Sequence, residues 1–355
     1  MNYTIILLRS NQSCMVSVML LTKLVFHYLK IETMPEFNIK HITKYTYESM
    51  VKDSVNHIIL YPKEDEYQKV LKHTLKISGN PRVDTFVDYY GNQVGFFTYS
   101  ERHRELEIYS ELTVDTVAKE LPEDSMFGKM EWEDLQSLRY QVPYIDYLKW
   151  EAFEGLQELK VFTGNVIKET STPYQTAMSF CTYVYETFNY IQGVTTVQTK
   201  LDEIWQLKAG VCQDFAHILA QMLRMANIPA KYVSGYICPN KNGMRGEGAT
   251  HAWVEAYIPS YGWLGLDPTN NCIANETYVN LAFGRSFNDC SPVKGVYKGP
   301  SNHKLTVQVI VSYDNGTTET HDPVEELEPE PIDAPIIQGN SYRRNLELIQ
   351  QQQQQ

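Results

Sequence analysis

The chain has 355 residues, of which 43% are hydrophobic and 12% aromatic, and its formal net charge is −12. This length favours two domains, and this composition excludes a disordered chain. An acidic protein without a cluster of Lys or Arg repels phosphate backbones, which argues against nucleic acid as a partner.

The N-terminal segment differs from the patterned sequence that follows it. Residues 15–29 (MVSVMLLTKLVFHYL) are apolar enough for a secretory signal, but Lys23 and His27 interrupt them and no small-residue cleavage site follows. They are too short to span a bilayer, so no integral membrane segment is expected. We interpret residues 1–34 as an extension or a mis-assigned start before Met34. This interpretation predicts a cytoplasmic protein, while a secretory role for the apolar segment stays open.

The cysteines are widely spaced, with no CxxC pair and no His at metal-ligand spacing. This spacing predicts neither a metal site nor a dense disulfide framework, and no cofactor is expected. The six cysteines are Cys14, Cys181, Cys212, Cys238, Cys272 and Cys290.

Residues 35–118 predict an antiparallel β-sandwich. Gly91-Asn92 is a candidate hairpin turn, and Gly79-Asn80-Pro81 is a second break. Between such turns lie short, β-rich runs, several of which alternate apolar and polar residues. These runs are FNIKHITKYTY, HIILYP, VLKHTLKIS, RVDTFVDYY, VGFFTYS and RELEIYSELTV. Residues 119–165 are polar and contain Pro, and they are predicted to connect this domain to a second one.

The second domain is predicted over residues 166–313. It opens with a helical pattern, PYQTAMSFCTYVYETF, in which Pro173 occupies an early position where its missing N–H costs nothing. A shorter helical pattern, KLDEIWQLK, follows, and KLTVQVIVSY near the end of the domain alternates as a strand. The acidic, Pro-rich and Gln-rich residues 314–355 are predicted to form a disordered tail.

Cys212 lies at the start of a predicted helix. The segment that follows it has apolar residues at helical spacing and ends near Asn227, two residues before Pro229. The positive end of a helix dipole and its free N–H groups stabilise a thiolate, which is the reactive form of cysteine. The preceding Gly210 is expected to let another chain approach the sulfur. Most free cysteines only pack in a core, so the chemistry requires a partner.

His251 and Asp267 lie on the two arms of a predicted hairpin. The first arm, THAWVEAYI, alternates strictly, and the second, WLGLD, follows a turn at PSYG. A register that opposes the two residues directly, or one displaced by two residues, places both side chains on one face. An odd register separates them unless a bulge intervenes, for which Gly265 is a candidate.

Thiol, imidazole and carboxylate together form a nucleophile, a base and an orienting acid. Backbone N–H groups at the helix start can receive the oxyanion. Competing polar residues have simpler interpretations. His217 lies five residues beyond Cys212 on another part of the helix surface, and Asp214 suits the first helical turn. Glu255 shares the strand face of His251, with a solvated glutamate as the default. Trp253 and Trp263 are expected to pack.

Three blocks in this order carry a family resemblance: GVCQDFAHILAQMLRMANIPAKYVSGYI, THAWVEAYIPSYGWLGLDPTNN and VNLAFGRSFNDCSPVKGVYKG. They resemble bacterial transglutaminase-like proteins over residues 170–312, and the β-rich region resembles the N-terminal domain that accompanies this core. The resemblance implies an α+β fold in which a helix carrying Cys packs on an antiparallel sheet carrying His and Asp, as in papain. It implies Cys212 as nucleophile, His251 as general base and Asp267 as orienting acid.

The same resemblance implies the chemistry. Tyr190 in FNY resembles an aromatic position that can donate to the oxyanion, although a core tyrosine is the simpler interpretation. Nothing resembles the calcium-binding loops of animal transglutaminases, so we expect a cysteine protease or amidase acting on a protein or peptide. Protein-glutamine γ-glutamyl transfer and a non-catalytic binding module remain alternatives.

Overall fold

The protein is described by a computed structural model, in which the predicted extension over residues 1–34 and most of the predicted tail lie outside the described residues. The described residues are 35–169, 172–238, 244–246, 249–259, 261–300, 302–313, 318–320 and 324–325. Within these ranges no helix has the length and apolar character needed to cross a membrane.

Nine antiparallel strands form the N-terminal sheet. Five come from the first part of the chain and four return from its end. They are β1 (Glu36–Ile58), β2 (Gln68–Ile77), β3 (Asp84–Val87), β4 (Gln93–Tyr99), β5 (His103–Thr116), β13 (Val293–Lys298), β14 (His303–Tyr313), β15 (Thr318–Thr320) and β16 (Val324–Glu325).

Strand β1 organises this sheet. The sequence predicted the run FNIKHITKYTY here, and the structure extends it to Ile58 as one strand of 23 residues. Its first half pairs with β14 and β5, its second half pairs with β13 and β4, and the register shifts between Thr46 and Val51. Two different sets of neighbouring strands thus hold the halves of β1 on the two sides of this irregularity. The predicted sandwich is therefore one sheet curled into a half-barrel.

The last strand of the second predicted domain pairs with the N-terminal sheet. Strand β14 does not join the core but pairs with β1 along eleven positions, from Phe37 with Tyr313 to Tyr47 with His303. A strand with alternating apolar and polar residues needs a partner strand in a sheet that is buried on one face. Strand β1 provides that partner. Strands β15 and β16, which lie within the predicted tail, pair with β14 and continue this edge.

Helices dominate the middle of the chain. The predicted connector contains helical pieces, and the helices predicted from Pro173, in KLDEIWQLK and from Cys212 are all confirmed. Thr172 caps the third helix by accepting a hydrogen bond at Oγ1 from the Gln175 N–H, at 3.1 Å. The helices are α1 (Gly128–Leu138), a short 3₁₀ helix (Asp146–Leu148), α2 (Leu156–Glu169), α3 (Pro173–Thr187), α4 (Leu201–Leu207), α5 (Cys212–Met225) and α6 (Phe287–Cys290).

The core sheet has five antiparallel strands in the order β11-β10-β9-β8-β12. These are β8 (Ala230–Ile237), β9 (Thr250–Ile258), β10 (Gly262–Asp267), β11 (Cys272–Ile273) and β12 (Tyr278–Gly284). A short parallel pair, β6 (Asn189–Tyr190) and β7 (Ala209–Gly210), lies just before α5. The predicted α+β class is confirmed.

Helix α5 packs on the core sheet through one apolar face. Phe215, Ile218, Leu219, Met222 and Leu223 are fully buried, and they share a hydrophobic cluster with alternate residues of β9. Buried residues at this spacing form one apolar face of a helix, and that face packs on the sheet. Asn227, in a left-handed conformation with φ of 63°, ends the helix. The helix therefore holds its first residue, Cys212, at a fixed place beside the sheet.

The N-terminal sheet packs against β8 and β12 of the core sheet. Tyr236 and Val279 belong to the same hydrophobic cluster as Phe37 and Ile39. Polar groups also cross this contact, because His41 Nδ1 lies 2.9 Å from Tyr236 Oη in a buried position. The N-terminal sheet thus supports the strands that carry the candidate site.

Candidate active site

Cys212 is the first residue of helix α5, as predicted. Its thiol is free and half-buried, and the extended residue Val211 precedes it as the N-cap. The first N–H groups of a helix lack intrahelical partners and carry the positive end of its dipole. The sulfur therefore lies where an anion is stabilised.

Asp214 fixes the backbone around the cysteine. Its Oδ2 accepts hydrogen bonds from the Val211 N–H at 2.8 Å and from Thr195 Oγ1 at 2.6 Å. A Cβ at Gly210 would lie 2.3 Å from this oxygen, so the glycine makes room for the Asp214 carboxylate. The structure thus gives Gly210 a local purpose in place of the predicted approach of another chain to the sulfur. Burial raises the pKa of Asp214.

His251 and Asp267 meet as the hairpin predicted. The register that pairs Leu266 with Val254 places Asp267 diagonal to His251. His251 Nε2 lies 3.0 Å from Asp267 Oδ2, and both side chains are completely buried. Burial by itself lowers the pKa of His251, but the charges and hydrogen bonds of Asp267 and Cys212 outweigh it and raise the pKa above 6.5. The imidazole therefore interacts with both other members of the predicted triad.

Asp267 accepts more hydrogen bonds than the sequence suggested. Besides His251, its Oδ2 accepts from Asn270 Nδ2 at 2.7 Å and from Tyr278 Oη at 2.7 Å. Its Oδ1 accepts from the Thr269 N–H at 2.8 Å. Burial alone raises the pKa of a carboxyl, but His251 and these donors lower the pKa of Asp267 below 3.8. The carboxylate is therefore ionised and fixed in orientation.

Because His251 Nε2 contacts Asp267, Nδ1 is the nitrogen that is available to the thiol of Cys212. It has no hydrogen bond within standard limits in the described part of the chain, although Cys212 interacts with the ring. Gly246 packs directly against it, since a Cβ there would lie 2.7 Å from Nδ1. Gly246 also has a φ of +79°, which favours glycine. Gly246, a residue without a side chain, thus packs directly on the imidazole.

Tyr190 lies beside this group. It occupies β6, which pairs with Gly210 just before the cysteine. Burial, followed by the nearby charge of Cys212, raises its pKa to about 12. A phenol with this pKa keeps its proton near neutral pH and can donate it in a hydrogen bond. Its proximity fits the predicted oxyanion donor, and that assignment stays a prediction.

The competing residues have other partners. His217 is half-buried, accepts a hydrogen bond from the Phe287 N–H at 3.1 Å, and has a pKa lowered by desolvation to about 4. Glu255 pairs with Lys231 at 3.3 Å. Trp253 is buried, with its ring centre 6.3 Å from that of His251, and Trp263 packs under Lys231 Nζ at 3.7 Å. These residues serve packing and ion pairing.

Sequence reasoning missed three kinds of supporting residue. Asn270 follows Asp267 within PTNN, and a polar turn after a strand is too common to indicate a role for it. Tyr278 is eleven residues past its partner, on β12, which lies at the opposite edge of the sheet from β11. Gly246 lies in a loop whose spacing gives no periodic signal.

Comparisons with known proteins agree with this architecture. The family model of the transglutaminase-like superfamily matches residues 160–268, and that of the bacterial transglutaminase-like N-terminal region matches residues 37–115. An uncharacterized protein of Mycobacterium leprae is 31% identical over 276 residues, which cover 77% of this chain and 96% of that one. The chain therefore belongs to the transglutaminase-like superfamily.

Two further comparisons concern proteins whose names state an activity. A solved chain from Cytophaga hutchinsonii, described as a candidate cysteine protease, has a TM-score of 0.65 at 21% identity, covering 81% of this chain and 93% of that one. This likeness shows the fold alone. A protein-glutamine gamma-glutamyltransferase of Pseudomonas aeruginosa is 38% identical over 73 residues, or 19% of this chain and 11% of that one.

Proposed function

We propose that this protein hydrolyses amide bonds in peptides or proteins through a thioester on Cys212. The observation that carries the proposal is the buried imidazole of His251, which binds Asp267 through Nε2 at 3.0 Å and interacts with Cys212. A thiol, a base and an orienting carboxylate in this order are sufficient for acyl transfer.

In the acylation step, His251 Nδ1 takes the thiol proton and the sulfur attacks the amide carbonyl. A C–S bond forms, the C–N bond breaks, and the imidazolium returns the proton to the leaving amine. Asp267 stabilises the imidazolium throughout, which is the same interaction that raises the pKa of His251. In the second step His251 takes a proton from water, the hydroxide attacks the thioester, and the thiolate leaves.

The developing oxyanion has two candidate donors. The N–H groups in the first turn of α5, including that of Cys212, point outward at the helix start. The Tyr190 hydroxyl is the second, because its raised pKa keeps the proton in place. Backbone donors at a helix start are fixed by the fold and need no reorganisation during the reaction.

Transfer to an amine is a second candidate reaction. The similarity to a protein-glutamine gamma-glutamyltransferase supports it, since the same thioester can be attacked by a lysine amine. We favour hydrolysis because Cys212 is half-exposed, so water, the most concentrated nucleophile, reaches it.

A single assay separates these outcomes. The full chain is incubated with a mixture of peptides that contain glutamine and with a dansylated amine, and the products are identified by mass spectrometry. Hydrolysis predicts new peptide termini or deamidated glutamine without dansyl incorporation, while transfer predicts dansylated glutamine. Both products should vanish in Cys212→Ala, and any cleavage that persists in this variant contradicts the proposal.

A further inference from the structure

A positively charged residue, Arg245, stands at the edge of the candidate site. Arg245 directly precedes Gly246, the residue that packs on His251 Nδ1. Its side chain is exposed, and no Asp or Glu of the described residues lies within ion-pair distance of it. In a chain with a net charge of −12, an exposed arginine next to a reactive group, with no ion pair in the described part of the chain, is a candidate binding group for an anion.

The backbone of Arg245 is tied to the triad. Its N–H donates to Asn270 Oδ1 at 2.8 Å, and its carbonyl accepts from Asn270 Nδ2 at 3.1 Å. The same Nδ2 donates to Asp267 Oδ2 at 2.7 Å. Asn270 thus holds Arg245 and Asp267 at a fixed spacing, so the position of the arginine is set by the candidate catalytic carboxylate.

The guanidinium lies against aromatic rings near the sulfur. Its Cζ is 5.1 Å from the ring centre of Tyr185 and 5.8 Å from that of Tyr190. Such stacking orients the planar group while leaving its edge free. Its one hydrogen bond within the described residues, from Nη1 to the Thr269 carbonyl, is long at 3.5 Å. The charges of both Arg245 and Cys212 affect the pKa of Tyr190.

We propose that Arg245 is a specificity-determining residue that binds a carboxylate of the substrate next to the amide bond attacked by Cys212. This inference rests on the proposed function, because it names the substrate class of the same site. A guanidinium edge matches a carboxylate with two parallel hydrogen bonds. The net negative charge of the chain repels an anionic substrate elsewhere, so the attraction to Arg245 favours binding at the candidate site.

The carboxylate has two sources, an Asp or Glu side chain and the C-terminal carboxylate of a peptide. Both present the same planar anion to Arg245. They differ in where the reacting amide lies, either within a chain or next to its end. Peptides that differ only at these groups distinguish them.

Two matched alkylating reagents test Arg245 without any knowledge of the substrate. Iodoacetate carries a carboxylate and iodoacetamide does not, and each modifies Cys212 in the full chain at a rate that mass spectrometry measures. We expect the ratio of the iodoacetate rate to the iodoacetamide rate to fall about three- to fivefold in Arg245→Gln, which is the scale of one exposed ion pair. Arg245→Lys should keep most of the ratio.

Arg102→Gln is the matched control. Arg102 is exposed in the turn between β4 and β5 of the N-terminal sheet, and its substitution removes the same charge. The ratio should stay at the wild-type value. A ratio that is unchanged in Arg245→Gln, or that falls equally in Arg102→Gln, overturns the proposal.

Failure of the proposed function has a different signature. In that case iodoacetamide modifies Cys212 no faster than Cys272, while the ratio of the two reagents can still be read. If peptides are cleaved, Glu-to-Gln and acid-to-amide pairs identify the source of the carboxylate. Loss of either preference in Arg245→Gln supports the proposal, and the absence of both preferences in the wild type contradicts it.

Discussion

Asp267 and His251 form a completely buried pair, in which Oδ2 and Nε2 lie 3.0 Å apart. A buried charge is tolerated when other groups compensate it, and Asp267 has three more donors in Thr269, Asn270 and Tyr278. Asp267 therefore stays ionised and fixes one imidazole orientation. The candidate chemistry of Cys212 depends on this arrangement.

Replacement of Asp267 by Asn tests the charge of this pair. The variant keeps the shape but loses the negative charge that raises the pKa of His251. We expect the midpoint of the His251 imidazole titration in NMR spectra to fall below that of the wild type. Each unit of this fall corresponds to about tenfold less stabilisation of the imidazolium. His217 serves as the control, and an unchanged His251 midpoint would rule out Asp267 as the cause.

Gly246→Ala tests the close packing against the imidazole. The new methyl would lie 2.7 Å from His251 Nδ1, so the ring must move. We expect the rate of Cys212 alkylation by iodoacetamide to fall about tenfold, a loss of about 1.4 kcal/mol in the barrier.

Gly262→Ala is the control for backbone strain. Gly262 also has a positive φ, of +98°, but nothing lies within 4 Å of its added Cβ. Its substitution should cost about 1–2 kcal/mol of unfolding free energy and leave the alkylation rate unchanged. Equal losses of rate in both variants would assign the effect to strain and contradict the packing argument.

Tyr278→Phe tests the support of Asp267 from β12. The variant removes the 2.7 Å hydrogen bond to Oδ2, while the other donors remain. We expect the unfolding free energy to decrease by about 1.5–3 kcal/mol, the range for a hydrogen bond to a charged group. Urea unfolding measures this, and the cost should shrink when Asp267→Asn is already present. Equal costs in both backgrounds would mean that Tyr278 acts independently of Asp267.

The burial of His41 predicts that the protein loses stability in acid. It is buried between Tyr236 and Thr43, and burial lowers its pKa from 6.5 to about 4. Between these values the unfolded chain binds the proton and the folded protein does not. The free energy of unfolding therefore falls as the pH decreases from 6.5 to about 4, by up to about 3 kcal/mol from this group.

His41→Gln separates this contribution from all others. The variant should be less stable than the wild type at neutral pH, because Gln cannot reproduce both hydrogen bonds of the imidazole. Its unfolding free energy should decline less steeply between pH 6.5 and 4. Parallel declines in urea unfolding would show that His41 does not carry the predicted proton linkage.

The sequence predicted those parts of the molecule that depend on local periodicity. The helix at Cys212 and the hairpin of His251 and Asp267 follow from spacing that each segment carries by itself. The pairing of β14 with β1 was not predictable in this way. Alternation in KLTVQVIVSY specifies a half-buried strand but does not specify its partner, which lies more than 250 residues earlier.

The supporting contacts of the site were missed for a related reason. Tyr278 reaches Asp267 only because β12 joins the sheet beside β8, which periodicity does not reveal. Gly246 matters through the absence of a side chain next to His251, and only the folded backbone shows what a Cβ would meet. Such contacts depend on the assembled sheet and not on any one segment.

The most direct test of the central claim compares Cys212 with Cys272 in the same molecule. Both thiols are free and half-buried, but Cys272 lies on β11, where burial raises its pKa to about 11. At neutral pH, iodoacetamide should modify Cys212 at least about tenfold faster than Cys272, and His251→Ala should remove this difference. Equal rates at the two cysteines, or a rate at Cys212 that His251→Ala leaves unchanged, would contradict an activated thiol at the start of α5.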